Sequence, residues 1–322
     1  MKILVTGATG FIGGAAARAL KAAGHAVQGL ARSDDAAARL TQAGFEPVRG
    51  DFEDHASLAA AAVGADMVVS TASVGSLAGD PDSFTRDREA VRAMLSAIEG
   101  SGKGFMFTSG SAMLGIFKDG EANNALLDEA TKVPLSPAVF APEGSNVPDL
   151  LVQMFGAAMA ARVGTEDDVL ATPGIRGTVM RPGLVYGHGG SYDIPGLIKM
   201  AKANGAGVHL GAGGTLQGYV HVDDLADLYR LAAEKAPHGT IIHGVTAEVS
   251  QRDLAAAISR LIGAGDRTDS LDLMSMFQLG GPIGVSVSLN KRLDATWTKA
   301  LLGWSPTRAD ILEDVAAGSY TA

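Results

Sequence analysis

The sequence predicts an α/β protein, a doubly wound parallel sheet joined to a small C-terminal lobe, and three observations carry the prediction. Short apolar runs alternate with helical stretches through the first half, which implies parallel strands linked by crossover helices. Three glycines stand at fixed spacing between the first apolar run and the first helix. After Pro182 the alternation gives way to a glycine-rich, irregular pattern.

In chain order, Ile3–Val5, Ala26–Leu30, Met67–Ser70, Gly104–Phe107 and Gly177–Met180 are the strand candidates, with helices between them. Beyond Pro182 the sequence predicts a glycine-rich loop, a helix near Asp193–Asn204 and the glycine-rich stretch Gly211–Gly218. A helix at Asp223–Ala236 and a strand at Thr240–Val245 follow. Ser250 with Asp253 has the spacing of a capping box that opens a helix running to Ile262.

Composition narrows the function. The 322 residues are 47% hydrophobic and 19% charged, enough to bury a substantial core in a soluble globule. A formal charge of −9 without Lys/Arg clusters argues against nucleic acid and for a small-molecule ligand. The chain has no cysteine, so disulfides, thiolate metal sites and cysteine nucleophiles are excluded. Met1-Lys2-Ile3-Leu4-Val5 is too short an apolar run for an export signal, and no stretch reaches the roughly 18 apolar residues of a spanning helix. A cytoplasmic protein without a membrane span is expected.

Ile3-Leu4-Val5-Thr6-Gly7-Ala8-Thr9-Gly10-Phe11-Ile12-Gly13 places its glycines directly after a strand and before a helix, the context of a Rossmann-type dinucleotide site. Gly7 permits the tight turn, Gly10 the approach of a pyrophosphate, and Gly13 close helix–strand packing. The exposed helix amides attract the phosphate charge. The end of the second strand selects the dinucleotide, since an acid there binds ribose hydroxyls and a cation welcomes a 2′-phosphate. The residues are Ala31-Arg32-Ser33, so NADP is expected and NAD is the alternative, with Asp34 and Asp35 just beyond weighing against NADP. Residues 1–182 with 218–246 are expected to form the dinucleotide-binding domain. Residues 183–217 with 247–322 are expected to form an interleaved substrate lobe in the same structural unit.

Further motifs follow: Gly50-Asp51-Phe52-Glu53-Asp54, Ser70-Thr71-Ala72-Ser73, Phe107-Thr108-Ser109-Gly110-Ser111 and Arg181-Pro182-Gly183-Leu184-Val185-Tyr186-Gly187. Later come Val220-His221-Val222-Asp223-Asp224-Leu225-Ala226 and Leu302-Gly303-Trp304-Ser305-Pro306. Through these the chain resembles, nearly end to end, the extended and atypical branches of the short-chain dehydrogenase/reductases, the NAD-dependent epimerase/dehydratase group. The resemblance implies cofactor contacts at Gly7, Thr9, Gly10, Phe11, Ile12, Gly13, Arg32, Ser33, Asp51, Phe52, Thr71, Ala72, Ser73, Ser109, Pro182 and Leu184. It implies Asp51 against the adenine, and a homodimer through the helices expected at Phe84–Glu99 and Pro148–Val163.

The catalytic pair of that family, Tyr-x-x-x-Lys, is missing. The tyrosines are Tyr186, Tyr192, Tyr219, Tyr229 and Tyr320, and no lysine lies between Lys132 and Lys199. Aligning Glu166 with the glutamate that family members often carry four residues beyond the lysine puts Arg162 in the lysine slot and Ala158 in the tyrosine slot. Arg162 then supplies charge to the cofactor ribose, or it forms a plain i,i+4 pair with Glu166. The slot of the family's carbonyl-polarising hydroxyl falls on Gly110, with Ser109 and Ser111 on either side, acting from a shifted position or satisfying the turn. Tyr186 is a candidate surrogate proton donor, or a packing residue.

His221, near Tyr219, is a titrating group or a hydrogen-bonded structural histidine. The histidines and carboxylates form no His-Glu-x-x-His or comparable motif, so no metal is expected, and no serine sits in a nucleophile elbow. Leu271, Leu273 and Met274-Ser275-Met276-Phe277 are an apolar wall for a substrate pocket, or core. The candidate catalytic residues are thus Ser111, Tyr186 and Arg162. The expected function is an atypical NADP(H)-dependent oxidoreductase on a small carbonyl or hydroxyl substrate. The alternatives are an NAD(P)-dependent epimerase or dehydratase, and a non-catalytic NADP(H)-sensing regulator.

Overall fold

The computed structural model describes residues 1–74, 82–133, 147, 149–308 and 310–320. The first half runs β1 (Lys2–Thr6), α1 (Phe11–Ala22), β2 (Ala26–Ala31), α2 (Asp34–Gln42), β3 (Glu46–Arg49) and α3 (His55–Val63). It continues with β4 (Met67–Ser70), α4 (Ser83–Ile98), β5 (Gly104–Thr108), a 3-10 turn at Ser111–Leu114, β6 (Ile116–Phe117), α5 (Asp149–Ala171) and β7 (Arg176–Pro182). Then come β8 (Leu184–Tyr186), α6 (Ile194–Asn204), β9 (Gly207–Leu210), β10 (Leu216–His221), α7 (Val222–Lys235) and β11 (Thr240–Gly244). The chain closes with β12 (Ala247–Ser250), α8 (Gln251–Leu261), β13 (Thr268–Leu271), α9 (Leu273–Gly280), α10 (Pro282–Ser286), β14 (Leu289–Asn290), α11 (Thr296–Leu302) and α12 (Ile311–Ala317).

Seven parallel strands form the main sheet in the order β11-β7-β5-β4-β1-β2-β3. Successive side chains of β1 serve opposite faces: Ile3 and Val5 join the core containing Leu20, Leu225 and Leu228, and Leu4 joins the one containing Leu58, Met94 and Phe105. Burial on both faces explains the unbroken apolar runs that mark these strands in the sequence. The strand order reverses between β1 and β4, which opens a crevice at the strands' carboxyl ends.

Each expected strand and late helix is present, within a residue or two of its expected ends. Ser250 caps α8 as its spacing indicates, accepting from the Asp253 N–H at 3.1 Å while its hydroxyl donates to Asp253 Oδ2 at 2.6 Å. The helix expected from Pro148 begins, among the described residues, at Asp149; Pro148 lies outside them. The edge strand β3 has no apolar run: Glu46, Pro47 and Arg49 are exposed. Beyond Pro182 the chain divides between layers. α7 packs on α1 and β11 joins the main sheet, whereas β10 pairs with β8 and β12 in a separate three-stranded sheet. That sheet, α6, α8 and α9 enclose the second core, with Ile194, Leu254, Ile258 and Met276 inside. Among the described residues no helix is long and apolar enough to cross a membrane.

His243 lies opposite Arg181 in the β7/β11 register and is fully buried. Its Nδ1–H donates to the Asp294 carbonyl at 2.9 Å and its Nε2 has no partner among the described residues, so the ring is held neutral. Burial, with Arg181 adding to it, lowers its pKa from 6.5 to about 4. The unfolded chain therefore binds a proton below pH 6.5 that the folded ring refuses until about pH 4. This stability is present above pH 6.5 and is lost as pH falls through that window, about 3 kcal/mol in all, after which the loss levels off. Urea midpoints measured from pH 7.5 to 3.5 on the wild type and His243→Asn check this. The variant should show the shallower decline, and parallel curves would refute it.

Candidate functional site

At the crevice, Gly7 adopts φ +74° and its carbonyl accepts from the Gly10 N–H at 2.8 Å, closing the turn between β1 and α1. A Cβ on Gly13 would lie 2.3 Å from both the Gly7 carbonyl oxygen and Thr71 Oγ1, so α1 crosses the end of β1 at a distance only glycine allows. Thr6 ties the two central strands together. Its hydroxyl oxygen accepts from the Thr71 and Ala72 N–H groups at 3.2 Å, and Thr71 Oγ1 donates to the Thr6 carbonyl at 2.5 Å. The first turn of α1 has neither a side-chain cap nor an acid, which leaves its amides for an anion.

Gly7, Thr9, Arg32, Ser33, Asp51, Phe52, Ala72 and Ser73 line one cleft of about 400 Å³, together with Leu30, Asp35, Ala36, Arg39, Gly50 and Val74. The cradle that a Cβ would fill, the uncapped helix and the cleft between the ends of these strands fit a dinucleotide. Phe11 and Ile12 open α1 beside it, whereas Ser109, Pro182 and Leu184 belong to the ends of β5, β7 and β8.

The two acids that follow Arg32 are engaged elsewhere. Asp34 pairs with Arg49, and Asp35 with Arg39 at 3.1 Å. Arg32 is exposed and has no hydrogen bond or ion pair among the described residues. Ser33 Oγ accepts from the Ala36 N–H at 3.2 Å and caps α2. Asp51 Oδ1 accepts from the Glu53 N–H at 3.1 Å, which fixes the loop beneath Phe52.

On α5, Ala158 is buried and Arg162 lies one turn further along. Arg162 Nη2 donates to the Thr108 carbonyl at 2.7 Å, and its guanidinium stands 5.5 Å and 5.3 Å from the rings of Phe84 and Phe107. Burial lowers its pKa, against the opposing pull of Asp87 and Glu166. The possible i,i+4 pair is not made. Glu166 instead holds Arg181 on β7 with contacts of 2.6, 3.1 and 3.2 Å, because a buried guanidinium requires a fully desolvated counter-charge.

Ser73 Oγ donates to Asp87, whose other oxygen accepts the Val74 N–H at 2.7 Å. Ser109 Oγ is buried and has no partner among the described residues, while Ser111 opens the 3-10 turn and is buried. Thr108 Oγ1 also bonds the Tyr229 hydroxyl at 2.7 Å, a contact from α7 that no motif announced.

Tyr186 is a core residue of the small lobe, 2% exposed, with its ring edge-on to Tyr219 and His221 at centroid distances of 6.5 and 5.3 Å. Burial raises its hydroxyl pKa above the ordinary value, a direction that disfavours proton donation and accords with the packing alternative. His221 caps α7, its Nδ1 accepting from the Asp223 N–H at 3.2 Å. Leu273 and Met276 are core, whereas Met274 is 40% exposed. The fold also brings His188, His221 and Asp223 together, with ligating atoms within 4.8 Å of one another. No local spacing signals that cluster, since His188 and His221 lie on separate segments.

A family model described as NAD(P)H-binding matches residues 7–127, and one for the NAD dependent epimerase/dehydratase family matches residues 155–243. An uncharacterized protein of Saccharomyces cerevisiae is 30% identical over 326 residues, 98% of each chain. The 4-hydroxy-2-methyl-3-oxo-4-farnesyl-3,4-dihydroquinoline-1-oxide ketoreductase of Stigmatella aurantiaca is 26% identical over 245 residues, 75% of this chain and 67% of its own. In fold, the chain matches a dTDP-glucose 4,6-dehydratase from Streptomyces venezuelae with NAD bound. The TM-score is 0.73 at 21% identity, over 99% of this chain and 96% of the other.

Proposed function

Because the chain belongs to the NAD-dependent epimerase/dehydratase family of extended short-chain dehydrogenase/reductases, we propose that it is a cytoplasmic NADP(H)-dependent oxidoreductase acting on a small carbonyl or hydroxyl substrate. The observation that carries the cofactor choice is Arg32, at the mouth of the cleft without an acidic partner among the described residues. In this reading the Gly7–Gly13 turn and the α1 amides hold the pyrophosphate, Arg32 with the Ser33 hydroxyl takes the 2′-phosphate, and Asp51 and Phe52 border the adenine. Arg162 keeps a fixed positive charge in the slot where the family's Tyr-x-x-x-Lys pattern has lysine. The bound nicotinamide supplies or accepts the hydride.

With Ala158 in the tyrosine slot, the substrate oxygen is hydrogen-bonded by Ser111 and its proton is exchanged with water. A missing general acid costs about 10²- to 10⁴-fold, and positioning supplies about 7–11 kcal/mol of the barrier, so turnover survives the loss. The ketoreductase relative supports carbonyl reduction as the direction. The absence of both Tyr and Lys from their slots favours a second reading, a regulator that binds NADP(H) without turning it over.

Titration with NADPH and NADH, followed by NADPH consumption against aldehydes, ketones and enones, separates these readings. Turnover establishes the reductase, and tight binding without turnover establishes the regulator. Arg32→Ala should weaken NADPH on the order of 10- to 100-fold, the worth of one charge-assisted contact, and change NADH less than about twofold. Equal losses for both dinucleotides, or none, would sink the NADP assignment.

A further inference from the structure

We propose that His188, His221 and Asp223 bind one divalent cation of the zinc class, with a coordination position open to solvent. The ligands come from three places: the loop after β8, the last residue of β10 and the first turn of α7. His188 Nε2 lies 3.0 Å from Asp223 Oδ2, and His221 Nδ1 lies 3.8 Å from the same oxygen. A tetrahedral ion with bonds of about 2.0–2.1 Å separates its ligand atoms by about 3.3 Å. The two edges bracket that length, so small side-chain rotations complete the site.

The backbone is shaped to bring these groups together. Gly187, His188 and Gly189 all have positive φ, at 117°, 51° and 70°. His188 is one of two non-glycine residues in that region among those described, the other being Asp119. This reversal turns the His188 imidazole back onto Asp223. A Cβ at Gly187 would lie 2.4 Å from His221 Nε2, so glycine is what lets the loop lie against that ring and leaves Nδ1 facing the carboxylate.

Two imidazoles and one carboxylate favour zinc, cobalt or nickel over calcium or magnesium, which take oxygen ligands. The side chains of His188, Asp223 and His221 are 62%, 29% and 11% exposed, a gradient that admits an ion from solvent and leaves room for water as a further ligand. Binding takes the His221 Nδ1 lone pair from the Asp223 N–H and draws Asp223 from Arg308, whose Nε is 3.8 Å from Oδ2. The bound ion clamps the loop of residues 187–190 to the start of α7. That loop borders the cofactor cradle, because a Cβ on Gly190 would lie 2.6 Å from the Phe11 ring.

The test is titration of tag-free protein with Co²⁺, followed in the visible region, and with Zn²⁺ by calorimetry. One equivalent should bind. His188→Gln and Asp223→Asn should each weaken it on the order of 100-fold or more, since loss of a ligand exceeds the 10- to 100-fold cost of losing an outer-shell partner. Arg308→Gln should tighten it severalfold by removing a competing charge. Thermal melts of the variants verify folding, which the exposure of His188 favours. Absence of stoichiometric binding, or binding unchanged in both ligand variants, overturns the proposal and leaves a hydrogen-bonded His188–Asp223 latch.

Discussion

Gly13→Ala should abolish measurable NADPH binding and lower stability by about 2–3 kcal/mol, the cost of overpacking a site that cannot relax. One methyl group suffices because two of the atoms it meets are fixed. The Gly7 carbonyl is locked in the Gly7–Gly10 turn, and Thr71 Oγ1 is committed to the Thr6 carbonyl. The helix must withdraw, and its N-terminal amides move with it, away from the position that a phosphate requires. Gly156→Ala is the control. A Cβ there meets nothing within 4 Å among the described residues, and alanine in a helix gains up to about 1 kcal/mol over glycine. Fluorescence titration and thermal melting of both variants read the difference; wild-type affinity in Gly13→Ala would remove the cradle from the site.

Glu166→Ala should destabilise the fold by about 3–5 kcal/mol, because it strands the Arg181 guanidinium in the core. Both side chains are 3% exposed, so solvent does not screen the loss, and Arg181 Nη1 already lacks a partner among the described residues. The pair joins α5 to β7 beside neutral His243, so an uncompensated Arg181 also gains no relief from its neighbour. The double variant Glu166→Leu/Arg181→Met, which removes both charges and keeps apolar volume, should recover most of the loss. Urea unfolding at pH 7.5 measures all three proteins. A Glu166→Ala change below 1 kcal/mol would show that the pair contributes specificity rather than stability.

Much of the nucleotide half was legible in the sequence because its signals are local. Parallel strands buried on both faces read as apolar runs, and Gly7, Gly10 and Gly13 sit next to one another along the chain. β3 escaped notice because an exposed edge strand carries Glu46, Pro47 and Arg49 rather than an apolar run. The partner of Glu166 escaped for a different reason. Helical spacing offered Arg162, but spacing says nothing about which cation is more deeply buried, and Arg181 is. Tyr186 followed the same rule: its motif placed it correctly in the chain, and only packing against Tyr219 and His221 made it a core residue.

By itself the sequence determined the doubly wound α/β architecture, the glycine turn after the first strand, the cation at the end of the second, and the loss of the Tyr-x-x-x-Lys pair. Each is a property of neighbouring residues, for which backbone conformation and side-chain period suffice. Tertiary structure alone decided that Asp34 and Asp35 are occupied by Arg49 and Arg39 while Arg32 is left without a partner among the described residues. It also decided that Glu166 neutralises Arg181, and that His188 meets His221 and Asp223. Pairing of charges and convergence of ligands depend on distances across crossovers and between lobes, which are set by how the layers pack.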